Sequence, residues 1–165
     1  MVRRVLLVAV LAAGLMAPAQ AQPDPPASPS RSPAAAVRAT IDALFDGMRA
    51  GDSAAVRELF VPDARIQALE AGDSLAVDTR SADGFAGAAG APRDVVWDER
   101  IWDVRIRVDG PMADAWMSYV FYLGGERSHC GVNAMHLVRP DAAWKILRVT
   151  YTRRPDCTVP PEVRK

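Results

Sequence analysis

Cysteine, histidine and lysine are scarce, with two of each among 165 residues. Two cysteines exclude a disulfide-dense scaffold but permit one bridge. Two histidines and two cysteines, scattered without ligand spacing, form no zinc-type motif, so neither a metal nor any other cofactor is implied. Charge of one sign is also missing: 20 basic and 20 acidic residues cancel. No basic excess points to nucleic acid, and no acidic block suggests a solvating tail. The basic set is almost all arginine, a compositional habit rather than a binding signal. No internal repeat is present. What remains is 50% hydrophobic and 24% charged, ordinary globular composition that excludes a wholly disordered chain. The length favours one domain.

The one long apolar run lies at the start. Arg3 and Arg4 precede an apolar stretch at 5–16, and Ala19-Gln20-Ala21 is a small-x-small cleavage site. Residues 1–21 therefore read as a secretory signal. The run is shorter than the roughly 20 residues a bilayer span needs, and no cysteine near the cut offers a lipid attachment point. Cleavage would leave 165 − 21 = 144 residues with no further membrane span. The expected location is periplasmic or secreted. Residues 22–33 are rich in proline and serine, a spacer of disordered or polyproline type.

A helix follows. Ser32 suits the N-cap and Pro33 the first turn. Val37, Ile41, Leu44, Phe45 and Met48 recur at spacings of three and four, and Gly51 closes the helix. Asp52 or Ser53 caps a shorter helix carrying Val56, Leu59 and Phe60, ended by Pro62. Short strands are expected at 64–68 and 75–79, and a weak helix at 81–89 after Ser81. Four long strands follow at 95–108, 112–123, 128–138 and 144–153. Asp109-Gly110 and Gly124-Gly125 are two-residue hairpin signals. Helices covering an antiparallel meander make an α+β fold. The domain spans 34–157 and residues 158–165 form a tail.

This order of elements resembles the cone-shaped fold of nuclear transport factor 2-like and SnoaL-like proteins. Ala50-Gly51-Asp52 followed by Leu59-Phe60-Val61-Pro62-Asp63-Ala64 is similar to the family's opening. The phrases from Trp97 to Val104 and from Phe121 to Val132 resemble an exported branch labelled putative lumazine-binding, and Trp144-Lys145-Ile146 resembles its last strand. The resemblance implies N-terminal helices on a curved antiparallel sheet, a small-molecule ligand in the cone, and a homodimer through the convex face. The fold hosts isomerases, dehydratases, cyclases and non-enzymatic binders, so it does not settle function. A ketosteroid-isomerase-like member would carry a carboxylate on the first strand, whereas the stretch from Ala64 to Leu69 has no acid before Glu70. The first helix offers no tyrosine.

Pairing Leu123 with Glu126 and Val108 with Pro111 assigns faces, because opposed residues share one. Trp102, Tyr119, Cys130, His136, Arg148 and Thr150 then point inward among apolar residues. Trp116, His129, Asn133 and Tyr151 point outward. One slip or bulge would exchange the lists. A cavity with a few convergent polar groups is a small-molecule site. His136 suits acid–base work, Arg148 suits a carboxylate or phosphate, and Trp102 and Tyr119 complete the expected ligand-binding set. His129 belongs to the same set, at a rim or a dimer contact. The bland alternatives are a satisfied core histidine and an arginine paired at the mouth. Cys130 and Cys157 are expected to form a disulfide, since Arg154-Pro155-Asp156 turns the chain back; the alternative is two free thiols. Three functions stay open: an exported small-molecule binder without catalysis, an isomerase, dehydratase or cyclase using a pocket histidine, and a dimeric interaction module.

Overall fold

The computed structural model describes residues 32–71 and 74–165. The signal segment, most of the spacer and the Gly72-Asp73 turn lie outside the described residues. Helix α1 runs Pro33–Ala50; the Ser32 hydroxyl accepts from the Ala35 amide, and Gly51 ends it at φ 67°. Its buried face is the anticipated stripe of Val37, Ile41, Leu44, Phe45 and Met48. Helix α2, Ser53–Glu58, is capped by Asp52, whose side chain accepts from the Ala55 amide. It stops earlier than expected: Leu59 ends it, and Phe60 already belongs to strand β1, Phe60–Ala71. Strand β2 is Leu75–Ser81 and helix α3 is Ala82–Ala89, capped by Ser81. The long strands are β3, Trp97–Asp109; β4, Met112–Leu123; β5, Glu126–Val138; and β6, Lys145–Arg153.

The strands form one six-stranded sheet in the order β2-β1-β6-β5-β4-β3. All neighbours are antiparallel except β1 and β6, which run parallel. The helices bury their apolar faces on its inner side, with Met117, Met135, Leu137 and Ile146 among the fully buried residues.

Three bulges decide which side chains enter that inner side. Each adds one residue to one strand, and a single extra residue turns every later side chain to the other face. In β3 the register slips between Trp102 and Arg105, where Asp103 takes φ 51°. Between β4 and β5 the pairing passes from Tyr122–Arg127 to Phe121–His129, leaving Ser128 over. Between β5 and β6 it passes from His136–Arg148 to Leu137–Ile146, leaving Leu147 over. The expected Leu123–Glu126 pair is present. The other hairpin pairs Asp109 with Met112, one residue later on each strand than expected, so that Gly110-Pro111 makes the turn.

The face assignment is corrected accordingly. Trp102, His136, Arg148 and Thr150 lie on the outer face; Glu99, Ile101, His129, Asn133, Val149 and Tyr151 lie on the inner one. Cys130 also lies outward, and it is bonded to Cys157. Beyond that bridge the chain packs against the outer face: Val159 and Val163 cover Trp102, Val120 and Tyr122 as a second small core. The Arg100 guanidinium donates to the Arg164 carbonyl at 2.7 Å. Lys165 lies 3.7 Å from the buried Asp98, which also pairs with Arg100 at 3.1 Å.

Candidate functional site

A cavity of about 250 Å³ opens between the helices and the inner face of the sheet. Its walls are apolar and aromatic: Leu44, Phe45 and Met48 from α1, Phe85 from α3, and Trp97 and Phe121 from the sheet. Trp97 meets Phe121 edge-on at 5.9 Å, and the Arg93 guanidinium lies over the Trp97 ring at 4.3 Å. Arg93 also donates to the carbonyls of Met48 and Ala88. One side chain thus ties the ends of two helices to the cavity wall.

Polar groups converge inside. The β3 bulge turns Glu99 inward, and the β5 bulge brings Asn133 beside it. The Asn133 amide donates to a Glu99 carboxyl oxygen at 2.7 Å. Burial pushes the Glu99 carboxyl up to about 7, although the bond from Asn133 favours the ionised form. Burial out of water costs more here than one neutral donor returns. Near neutral pH this group is therefore divided between carboxylate, which accepts, and carboxylic acid, which also donates.

His129 enters the same cavity from β5. Its ring packs 5.1 Å from Phe121 and 5.7 Å from Tyr119, and its Nδ1 lies 3.0 Å from the Ser128 hydroxyl. Burial, helped by the positive charge of Arg153, lowers its pKa to about 4. The imidazole is neutral at physiological pH and offers both a donor and an acceptor.

Tyr119 stands on the inner face but beneath the cavity floor. It is 1% exposed, and its hydroxyl donates to the Thr152 carbonyl at 2.9 Å. Burial, then the charge of Glu99, pushes its pKa up, so it stays a phenol. That hydrogen bond draws Thr152 close to β5, and a Cβ at Gly131 would collide with the Thr152 carbonyl oxygen. Glycine is required there by close approach. Tyr151, raised chiefly by burial, lines the cavity itself, as do Arg80 and Arg153.

The structure thus divides the expected site residues. His129 lines the cavity and Tyr119 supports its floor. Trp102 sits under the C-terminal segment on the opposite face. His136 and Arg148 are exposed outer-face neighbours, paired across β5 and β6. Glu99, Asn133, Tyr151, Arg80 and Arg153 were not anticipated as site residues. A second concavity, of about 320 Å³, lies by Arg57, Pro62, Asp63 and Ser81. It is larger, but its charges are solvent-facing pairs such as Arg57–Asp83 at 3.0 Å, and no buried polar pair converges in it. Among the described residues no three His, Cys, Asp or Glu side chains group as a metal site.

Comparison with known proteins adds the following. A family model described as "putative lumazine-binding" matches residues 32–152. No curated protein matches the sequence. Among solved structures, a protein of unknown function from Mycobacterium tuberculosis aligns at 18% identity over 74% of this chain and 75% of that one, with a TM-score of 0.60. A nuclear transport factor 2-like protein with a cystatin-like fold from Novosphingobium aromaticivorans aligns at 16% identity over 74% and 82%, TM-score 0.57. A "putative dehydratase" of the same fold family from Streptomyces avermitilis aligns at 16% identity over 76% and 96%, TM-score 0.57. At these identities the likeness is one of fold.

Proposed function

The chain belongs to the family described as "putative lumazine-binding", within the nuclear transport factor 2-like fold, and from that premise we propose that it is an exported domain that binds a small organic molecule in its inner cavity. The carrying observation is the Asn133–Glu99 hydrogen bond of 2.7 Å, set at the wall of an otherwise apolar and aromatic cavity. Apolar walls supply affinity and a few placed polar groups supply orientation. Export is supported by the Arg3-Arg4 start, the apolar stretch after it, and the Cys130–Cys157 bridge, since such bridges persist in oxidising compartments. No described helix is long and apolar enough to cross a membrane.

Native mass spectrometry of the protein made in an oxidising compartment tests the reading. The expected result is an added mass of a few hundred daltons at most, lost on denaturation and lost in Asn133→Leu. An unoccupied protein that also fails to take up any compound from a cell extract of its source contradicts it.

One observation favours a second reading, acid–base catalysis of the isomerase or dehydratase kind. Glu99, held near 7, and a neutral His129 share one cavity, and a proton-transfer group works best with a pKa near the operating pH. Comparing occupants separates the two. Wild type and Glu99→Gln carrying the same compound favours the binder; an altered compound in the wild type alone favours turnover.

A further inference from the structure

The charges on the cavity wall are unevenly placed. Arg80 and Arg153 line it and are exposed, so they stand where it meets solvent. Each has a carboxylate partner, but neither partner lines the cavity. Asp78 lies 2.8 Å from Arg80 and Glu70 lies 2.9 Å from Arg153, both more than half exposed. The two arginines thus line the cavity and their carboxylate partners do not, although all four side chains are partly exposed and Asp78 is close enough to act on Tyr151. The field of Arg153 reaches inward, since it disfavours a proton on His129 and favours loss of one from Tyr151. The polar groups further in, Glu99, Asn133 and His129, carry no fixed positive charge.

We infer that the ligand is a flat, singly charged organic acid of one or two conjugated rings, its carboxylate at Arg80 and Arg153 and its far edge on Glu99 and Asn133. This rests on the binding reading above and adds the ligand's chemical class. Flatness follows from the walls: four aromatic side chains, Phe85, Trp97, Phe121 and Tyr151, line the cavity, and aromatic rings favour stacked or edge-on aromatic partners. Size follows from the volume, about 250 Å³, at the low end of small-molecule sites. A single charge follows from the partly neutralised arginines, because each already shares its guanidinium with one carboxylate. A second anionic group at the inner end would face Glu99 and be repelled by its ionised form.

Isothermal titration of the oxidised protein, shown to be empty by native mass, tests this with 2-naphthoate and its neutral isostere 2-naphthamide. Naphthoate is expected to bind about tenfold tighter, as one charge-assisted contact supplies. The ratio falls towards one in the Arg80→Gln/Arg153→Gln double variant, with folding checked by circular dichroism. Arg80→Gln alone, reducing the ratio in part, serves if the double variant does not fold. Equal affinities, a tighter amide, or no naphthoate binding to the empty protein overturns the inference. A neutral compound recovered from the cavity, which naphthoate fails to displace, overturns the acid class while leaving the binding reading intact.

Discussion

Arg148 and Arg153 sit on one strand, and their fates differ. The first lies on the outer face, in register with Arg65 and His136, and is exposed. The second lines the inner cavity and bonds Glu70 at 2.9 Å. The same contrast runs through the whole sheet. The inner face holds its few polar side chains in specific bonds, as Asn133 to Glu99 and Tyr119 to Thr152. The outer face is split. One half is sealed by a disulfide-bonded segment over Trp102, Val120 and Tyr122; the other leaves Trp116 bare at 55% exposure. Polar chemistry is placed where water is excluded, and the opposite face supplies the fastening.

The largest expected effect strikes that fastening. Replacing Cys130 and Cys157 with alanine opens a loop of sequence separation 27 and costs about 3–4 kcal/mol on the chain-entropy account. Denaturant unfolding measures it, and fluorescence from the newly wetted Trp102 reports release of the segment. A variant as stable as wild type would show that Val159 and Val163 alone hold the segment down.

On the inner face, Asn133→Ala leaves a buried carboxyl without its donor. A loss of about 1–3 kcal/mol is expected, together with loss of the cavity occupant. A smaller loss in Asn133→Asp than in Asn133→Ala would contradict the arrangement, because two adjacent carboxyls repel.

How far the sequence foretold this division varies from residue to residue. The first helix was legible end to end, since Ser32, Pro33, the apolar stripe and Gly51 are local signals. The four long strands and the Gly124-Gly125 hairpin were legible for the same reason, whereas the first hairpin turns at Gly110-Pro111, one residue later than Asp109-Gly110. Tyr119 was assigned to the correct face, because β4 carries none of the extra residues. His136 and Arg148 were not, because Ser128 and Leu147 are left over where each strand pairs with its neighbour in the meander, a mismatch that the turn residues do not mark. Periodicity within one strand registers such a residue only as a faint break. Such a break exists in β3, where inward apolar positions pass from Ile101 to Val104 across Asp103. Read as a change of phase, it would have turned Glu99 inward. Asn133 would still have been missed, since apolar residues occupy both parities of its strand.

Two opposed pH dependences sharpen the contrast at a smaller scale. Glu99 folds with its pKa raised from 4.5 to about 7, so the folded state keeps a proton the unfolded chain has lost across that window. Its contribution is intact below about 4.5 and is lost as pH rises through about 7. His129 falls from 6.5 to about 4, so its contribution is intact above 6.5 and is lost as pH falls towards 4. The two slopes oppose each other in the wild type. Glu99→Gln should leave stability rising from pH 4.5 to 6.5 and His129→Gln should leave it falling, each by on the order of 1 kcal/mol after allowance for solvent screening. Thermal melts across that range measure both. Parallel curves for the three proteins would place both groups in water.

The smallest effect belongs to the exposed half of the outer face. Trp116→Ala should change monomer stability by less than about 0.5 kcal/mol. It is the residue to test for the homodimer that the family resemblance implies through this face. Loss of a dimer mass in Trp116→Glu supports that expectation, and an unchanged mass removes it.

The most direct test of the account is a carbon-13 NMR titration of the Glu99 carboxyl, with the His129 ring followed in the same samples. A midpoint for Glu99 about 7, with His129 about 4, is the result predicted if the bulges turn both residues into a cavity shielded from water. Midpoints at the ordinary values of 4.5 and 6.5 would contradict it, placing both side chains in solvent and removing the inner cavity as the binding site.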